Sequence, residues 1–139
     1  MGRLDNKIAI VTGAGCVGAG WGNGRAVATR FVEEGAYVLA VDLSLDQLED
    51  TMKYNRAHKD RIIPHQCDVT NVDQVEAMIE ACVTEFGSLD ILVNNVGGSS
   101  KGGPVELSAK DWQTQIDYNL TSVFNTCKFA LPQMAAKKS

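Results

Sequence analysis

Two spacings of apolar residues alternate along this chain. Short runs that are apolar at nearly every position are separated by stretches in which apolar residues recur every three or four positions. The run from Lys7 to Thr12 predicts a first strand, buried on both faces as in a parallel sheet. Arg25 to Glu34 predicts a helix with Val27, Ala28, Phe31 and Val32 on one face and Gly35 as its left-handed stop. Ala36 to Val41 is a second strand that ends at Asp42. Ser44 with Gln47, and later Asn71 with Gln74, have the spacing of a capping box and each opens a helix. Between those helices, Arg61 to Cys67 forms a third strand. Pro64 lacks an N–H and places that strand at a sheet edge. Gly87 ends the helix that starts at Asn71, and Leu89 to Asn94 is a fourth strand. Glycines dominate the loop from Val96 to Leu107. Ser108 and Asp111 then start a long helix, with Trp112, Ile116, Leu120, Val123, Cys127, Leu131 and Met134 as its expected inward stripe. Pro132 is expected to kink or end it.

Strands alternating with crossover helices imply right-handed β-α-β units. The expected fold class is α/β, a three-layer αβα domain over residues 1–139, with a mostly parallel sheet in strand order 3-2-1-4. That order sets the Pro64 strand on an edge. It also leaves an open hydrogen-bonding edge on the fourth strand. A net charge of −4 argues against nucleic acid or an anionic membrane as partner. The polar start and the lack of any long apolar segment point to a soluble, cytoplasmic protein. Cys16, Cys67, Cys82 and Cys127 are widely spaced and only His58 and His65 could join them, so neither a metal site nor a disulfide framework is expected.

Between the first strand and first helix lie Gly13, Gly15, Gly18, Gly20, Gly22 and Gly24. Such a loop lets backbone N–H groups and a helix start approach a pyrophosphate. Gly13-x-Gly15-x-x-Gly18 fits the simple dinucleotide fingerprint, but it would place three glycines inside the helix, each unfavourable by ~1 kcal/mol against alanine. A helix starting near Asn23 or Gly24 is preferred. Asp42 stands where a carboxylate can accept bonds from the adenosine ribose hydroxyls. A 2′-phosphate there would meet like charge, unfavourable by ~4 kcal/mol at ~4 Å and an effective dielectric of 20, and no Arg or Lys adjoins it. NAD(H) is favoured over NADP(H). The competing role for Asp42 is to cap the Ser44 helix.

These residues resemble the classical short-chain dehydrogenase/reductase family, whose domain is of the Rossmann type. Thr12-Gly13 with Gly22-Asn23-Gly24-Arg25-Ala26 is similar to the family's Thr-Gly…Gly-x-Gly loop, and Cys67-Asp68-Val69 to its Asp-Val after the third strand. Leu89 to Gly97 resembles the Asn-Asn-Ala-Gly strand end, and Asp117-Tyr118-Asn119-Leu120 the segment bearing the catalytic asparagine. The resemblance implies cofactor contacts from Thr12, Gly13, Gly15, Gly22, Asn23, Gly24, Asp42, Asp68, Val69, Asn95, Val96 and Gly97. Within that set Asp68 would reach the adenine amino group, and Asn119 would be catalytic. The glycine loop is longer than usual between Gly15 and Trp21, and Val96 replaces the family's alanine. Trp21 is either a lid over the phosphates or ribose, or a ring packed in a surface groove.

The family's acid/base is a tyrosine with a lysine four residues on, aided by a serine. Tyr37, Tyr54 and Tyr118 are followed at that spacing by Val41, His58 and Ser122, so no Tyr-x-x-x-Lys occurs. The expectation is the cofactor half of an NAD-dependent enzyme passing hydride between nicotinamide and a secondary alcohol or ketone. The chain would stop before the catalytic strand and helix, and the full-length protein would be a homo-oligomer. A non-catalytic NAD-binding module is the alternative. A methyltransferase of similar fold does not account for Asn94-Asn95 or Asp117-Tyr118-Asn119.

Overall fold

The computed structural model, which describes residues 2–138, contains four strands: β1 (Ile8–Thr12), β2 (Tyr37–Asp42), β3 (Ile62–Gln66) and β4 (Ile91–Val93). They form one parallel sheet in the order β3-β2-β1-β4, with Ile10 opposite both Leu39 and Leu92. Pro64 sits on the edge strand opposite Ala40, as its missing donor requires. Helices α1 (Asn23–Glu33), α2 (Leu45–Tyr54) and α3 (Val72–Phe86) make the crossovers. A last helical stretch comprises α4 (Ala109–Ile116), a π turn at Asp117–Thr121, and α5 (Ser122–Lys137).

Strand alternation divides the core. Ala9, Val11, Val38 and Ala40 face α1 and α2 through Ala28, Val32 and Leu48. Ile8, Ile10, Leu39 and Val41 face α3 and α5 through Val75, Ile79, Cys82 and Ala130. The result is the three-layer Rossmann-type architecture expected. Each fully buried Val, Leu or Ile contributes roughly 1.5–3 kcal/mol.

The last helix differs from the expectation in two ways. Its break falls at the π turn, and Pro132 lies inside α5 on an exposed face, where the carbonyl left without a donor can be solvated. The inward face is also shifted from the expected stripe, of which Ile116, Val123, Cys127 and Met134 are half-buried and Met134 packs on the core. Trp112, Leu120 and Leu131 are 60%, 64% and 58% exposed, while Ser122, Asn125, Thr126 and Ala130 are buried. The π turn adds a residue and rotates everything after it. The buried polar groups then find partners: Asn125 Nδ2 donates to the Val69 carbonyl at 3.1 Å and Thr126 Oγ1 to Asn94 Oδ1 at 2.5 Å.

β4 is shorter than expected because side chains replace the ladder at both ends. At its start Asp90 Oδ2 accepts the Ile8 N–H at 2.9 Å, and beyond its end the Asn95 N–H donates to Thr12 Oγ1 at 3.1 Å. Lys137 pairs with Asp90 at 2.7 Å. Burial works against the Asp90 charge, but the Lys137 and Ile8 hydrogen bonds and the charges of Lys137 and Lys7 outweigh it. They hold the carboxyl below its ordinary value. No described helix is long and apolar enough to cross a membrane.

Candidate functional site

The carboxyl ends of β1, β2 and β4 open onto one cleft of about 330 Å³. Open parallel sheets place ligands here, where neighbouring strands send their connections to opposite faces.

The first wall is the glycine loop. Gly15 N–H donates to Asp42 Oδ2 at 2.9 Å, so the loop is tied to the end of β2. α1 begins at Asn23, which selects the second reading of the glycine frame. A Cβ on Gly24 would stand 1.8 Å from the Gly13 carbonyl oxygen, so only glycine lets the helix start against the loop. No side chain caps α1, because its cap residue is Gly22, and its first turn carries no acid. Bare N–H groups and the positive end of the helix dipole are left at the cleft.

The second wall belongs to Asp42 and Asp68. Asp42 Oδ1 accepts the Ser44 N–H at 3.1 Å while Oδ2 holds Gly15, so the carboxylate is fixed from both sides. It braces the turn into α2, but the helix cap itself is Ser44, whose Oγ accepts the Gln47 N–H. Asp68 Oδ1 accepts both the N–H and the hydroxyl of Thr70, at 2.9 and 2.6 Å. Gln74 accepts the Asp68 N–H at 2.8 Å, so this glutamine positions the acid instead of closing a capping box on Asn71. Val69 beside it is held through its carbonyl by Asn125.

The third wall follows β4. Asn95 Nδ2 donates to the Gly13 carbonyl at 3.1 Å, and Asn95, Val96 and Gly97 line the cleft. Thr12 does not: it is 1% exposed and works from behind, its hydroxyl donating to the Val93 carbonyl at 3.2 Å. All other expected cofactor contacts face the cleft. Asn119, on the π turn, stands outside the lining. Its Oδ1 accepts the Gly98 N–H at 3.1 Å, and its Nδ2 donates to the Gly98 and Gln115 carbonyls, each at 2.8 Å. A Cβ on Gly97 would fall 2.8 Å from Asn119 Oδ1, so any larger residue there would push the Asn119 amide aside. Asn119 thus fixes the loop that floors the cleft.

Trp21 is not at the cleft. Its ring packs on Tyr54 with centroids 4.7 Å apart, the surface-packing option. Cys16, Val17, Leu43, Gln47, Cys67 and Tyr118 also line the cleft, and none of them was expected as a cofactor contact. The adjacent polar pair Asn125-Thr126 in an apolar helix was a readable signal for the residues bracing Val69 and Asn94. Cys67 and Cys82 are buried thiols, pushed up by burial to about 11 and about 12, with Asp68 and Asp90 adding to the rise. Neither is a thiolate nucleophile near neutral pH.

The fold and cleft define a Rossmann-type α/β domain with its ligand site at the strand ends. The family described as short chain dehydrogenase matches residues 7–139, and the chain belongs to that family. It is 32% identical over 137 residues to a 3-oxoacyl-[acyl-carrier-protein] reductase of Thermotoga maritima, covering 99% of this chain and 54% of that protein. It is 36% identical to a 2-(R)-hydroxypropyl-CoM dehydrogenase of Xanthobacter autotrophicus, covering 93% and 51%. A Burkholderia xenovorans crystal structure described as a short-chain dehydrogenase/reductase superposes with a TM-score of 0.95 at 50% identity, covering 99% and 54%. The chain therefore spans about half the length of the relatives it matches.

Proposed function

We propose that this chain is the NAD(H)-binding portion of a short-chain dehydrogenase/reductase acting between a secondary alcohol and a ketone. One observation carries the reading: an uncapped, acid-free helix start shares a cleft with a fixed carboxylate, Asp42. The residues fit a dinucleotide. N–H groups at the start of α1 would hold the pyrophosphate. Asp42 keeps a lone pair on each oxygen for the ribose hydroxyls, and its charge disfavours a 2′-phosphate. Asp68 and Val69 would meet the adenine. Asn95, Val96 and Gly97 would carry the nicotinamide side, with Asn119 holding their loop in place. The nicotinamide, when bound, gives or takes the hydride.

This chain's own share is binding and positioning. No tyrosine in it has the lysine partner needed to bring a phenol near pKa 10 into working range. NADH titration followed by fluorescence tests the reading. Saturable binding that weakens at least tenfold in Asp42→Ala is expected; folded protein with no saturable binding ends it. The isolated chain should give no turnover with NAD and alcohols. Turnover that disappears in Asn119→Ala would overturn that part.

A further inference from the structure

A second cavity, of about 350 Å³, lies behind the glycine loop, away from the cleft. Gly20, Arg25, Asp50, Lys53, Tyr54 and Arg56 line it. Its size is at the lower end of what small-molecule sites use.

Arg25 is the unusual member. It is 1% exposed, yet no described carboxylate forms an ion pair with it. Its Nε donates to Thr51 Oγ1 at 2.9 Å, one terminal nitrogen to the Gly20 carbonyl, and the other to the Gln47 carbonyl at 3.1 Å. A guanidinium has five N–H donors, so two are left over. Arg25 also sits in the first turn of α1, which carries no acid and where the helix dipole adds positive potential. Buried charges are ordinarily paired at contact, and here the carboxylate of Asp50 acts on Arg25 only through space.

The surroundings sharpen the point. Lys53 and Arg56 add two cations to the cavity wall, and Asp50 is the single acid among its lining residues. Asp50 is already bonded to Lys53 Nζ at 2.9 Å. The wall is thus cationic in a chain whose net charge is −4. Tyr54 supplies an aromatic side, its ring 5.4 Å from the Arg25 guanidinium carbon.

We infer that this cavity binds a phosphate group, as the free ion or as a small phosphomonoester whose carbon portion rests on Tyr54. Lys53 and Arg56 attract the dianion, and it gives Arg25 the contacting counter-charge that no described carboxylate supplies.

Removing Arg25 would cut three structural bonds, so the test uses the exposed pair. With the cleft filled by saturating NADH, phosphorus NMR titration of the whole chain with inorganic phosphate, and separately with glycerol 3-phosphate, should each show one saturable site. The double variant Lys53→Gln with Arg56→Gln should weaken both at least tenfold while NADH affinity stays unchanged. Gly22→Asp, which sets a carboxylate at the start of α1, should leave phosphate binding intact. Tighter binding of the ester assigns the phosphomonoester, and equal binding assigns the free ion. Phosphate binding that survives the double variant, or that disappears in Gly22→Asp, overturns the inference, because the ion would then lie elsewhere or at the α1 start. Folded double variant, checked by circular dichroism, excludes loss by unfolding.

Discussion

The start of α1 and the starts of α2, α3 and α4 are built on opposite plans. Ser44, Asn71 and Ser108 each cap their helix with a side-chain oxygen, and Asp46, Asp73 and Asp111 put an acid in each first turn. α1 has Gly22 and no acid. The three capped starts each satisfy one free N–H with a side chain and set an acid against the dipole, whereas α1 does neither. The difference separates a helix end made for stability from one made to receive an anion.

Four experiments would break or sharpen that contrast. The largest effect belongs to Gly24→Val. Its Cβ would overlap the Gly13 carbonyl, so a loss of about 3 kcal/mol in urea unfolding is expected, together with loss of NADH binding. Gly22→Asp converts α1 to the plan of its neighbours. The backbone there is extended (φ −101°), and a Cβ would make only ordinary contacts, the nearest with Cys16 Sγ at 3.5 Å, so the aspartate fits. Stability should rise by about 0.5–1 kcal/mol from the cap and dipole, while NADH affinity falls at least tenfold, about 1.4 kcal/mol. Should both rise together, the α1 start is not the anion site. Ser108→Ala is the reverse control. It removes the cap bond to the Asp111 N–H at 3.0 Å and should lower stability by about 1 kcal/mol with NADH affinity unchanged.

The smallest effect concerns the far end of α5, where polarity is again satisfied internally, by Lys137 on Asp90. The folded Asp90 pKa lies below its unfolded value of 3.8. Between the two, the unfolded chain binds the proton first. The stabilisation is therefore complete well above 3.8 and is lost as pH falls through the folded value. Stability of Asp90→Asn, followed by thermal melts from pH 6 downward to about 2, should fall less steeply with acid than that of the parent chain. Parallel curves would remove Asp90 from the acid response.

Much of this arrangement was legible in the sequence because its causes are local. Strand and helix order follows from apolar period, the capped starts from Ser and Asn at fixed offsets, and the α1 start from the cost of interior glycines. The position of Asp42 follows from the length of one β-α-β unit. Pro64 on an edge follows from a missing donor. What failed was whatever depends on a partner distant in the chain. On α5 the apolar stripe includes the half-buried Val123, Cys127 and Met134 but misses Asn125 and Thr126, which are buried only where Val69 and Asn94 receive them. β4 is shorter than the apolar run because the side chains of Asp90 and Thr12 take over bonds a backbone would have made.

The amino-acid sequence by itself determined the order of elements, the helix starts and the acid at the end of β2, since each rests on interactions within a few residues. Only the tertiary structure decided which polar residues of the last helix turn inward, where Trp21 packs, and that Arg25 is a buried cation with no ion pair to a described carboxylate. Those outcomes depend on which distant groups meet and exclude water between them, and no local spacing encodes that.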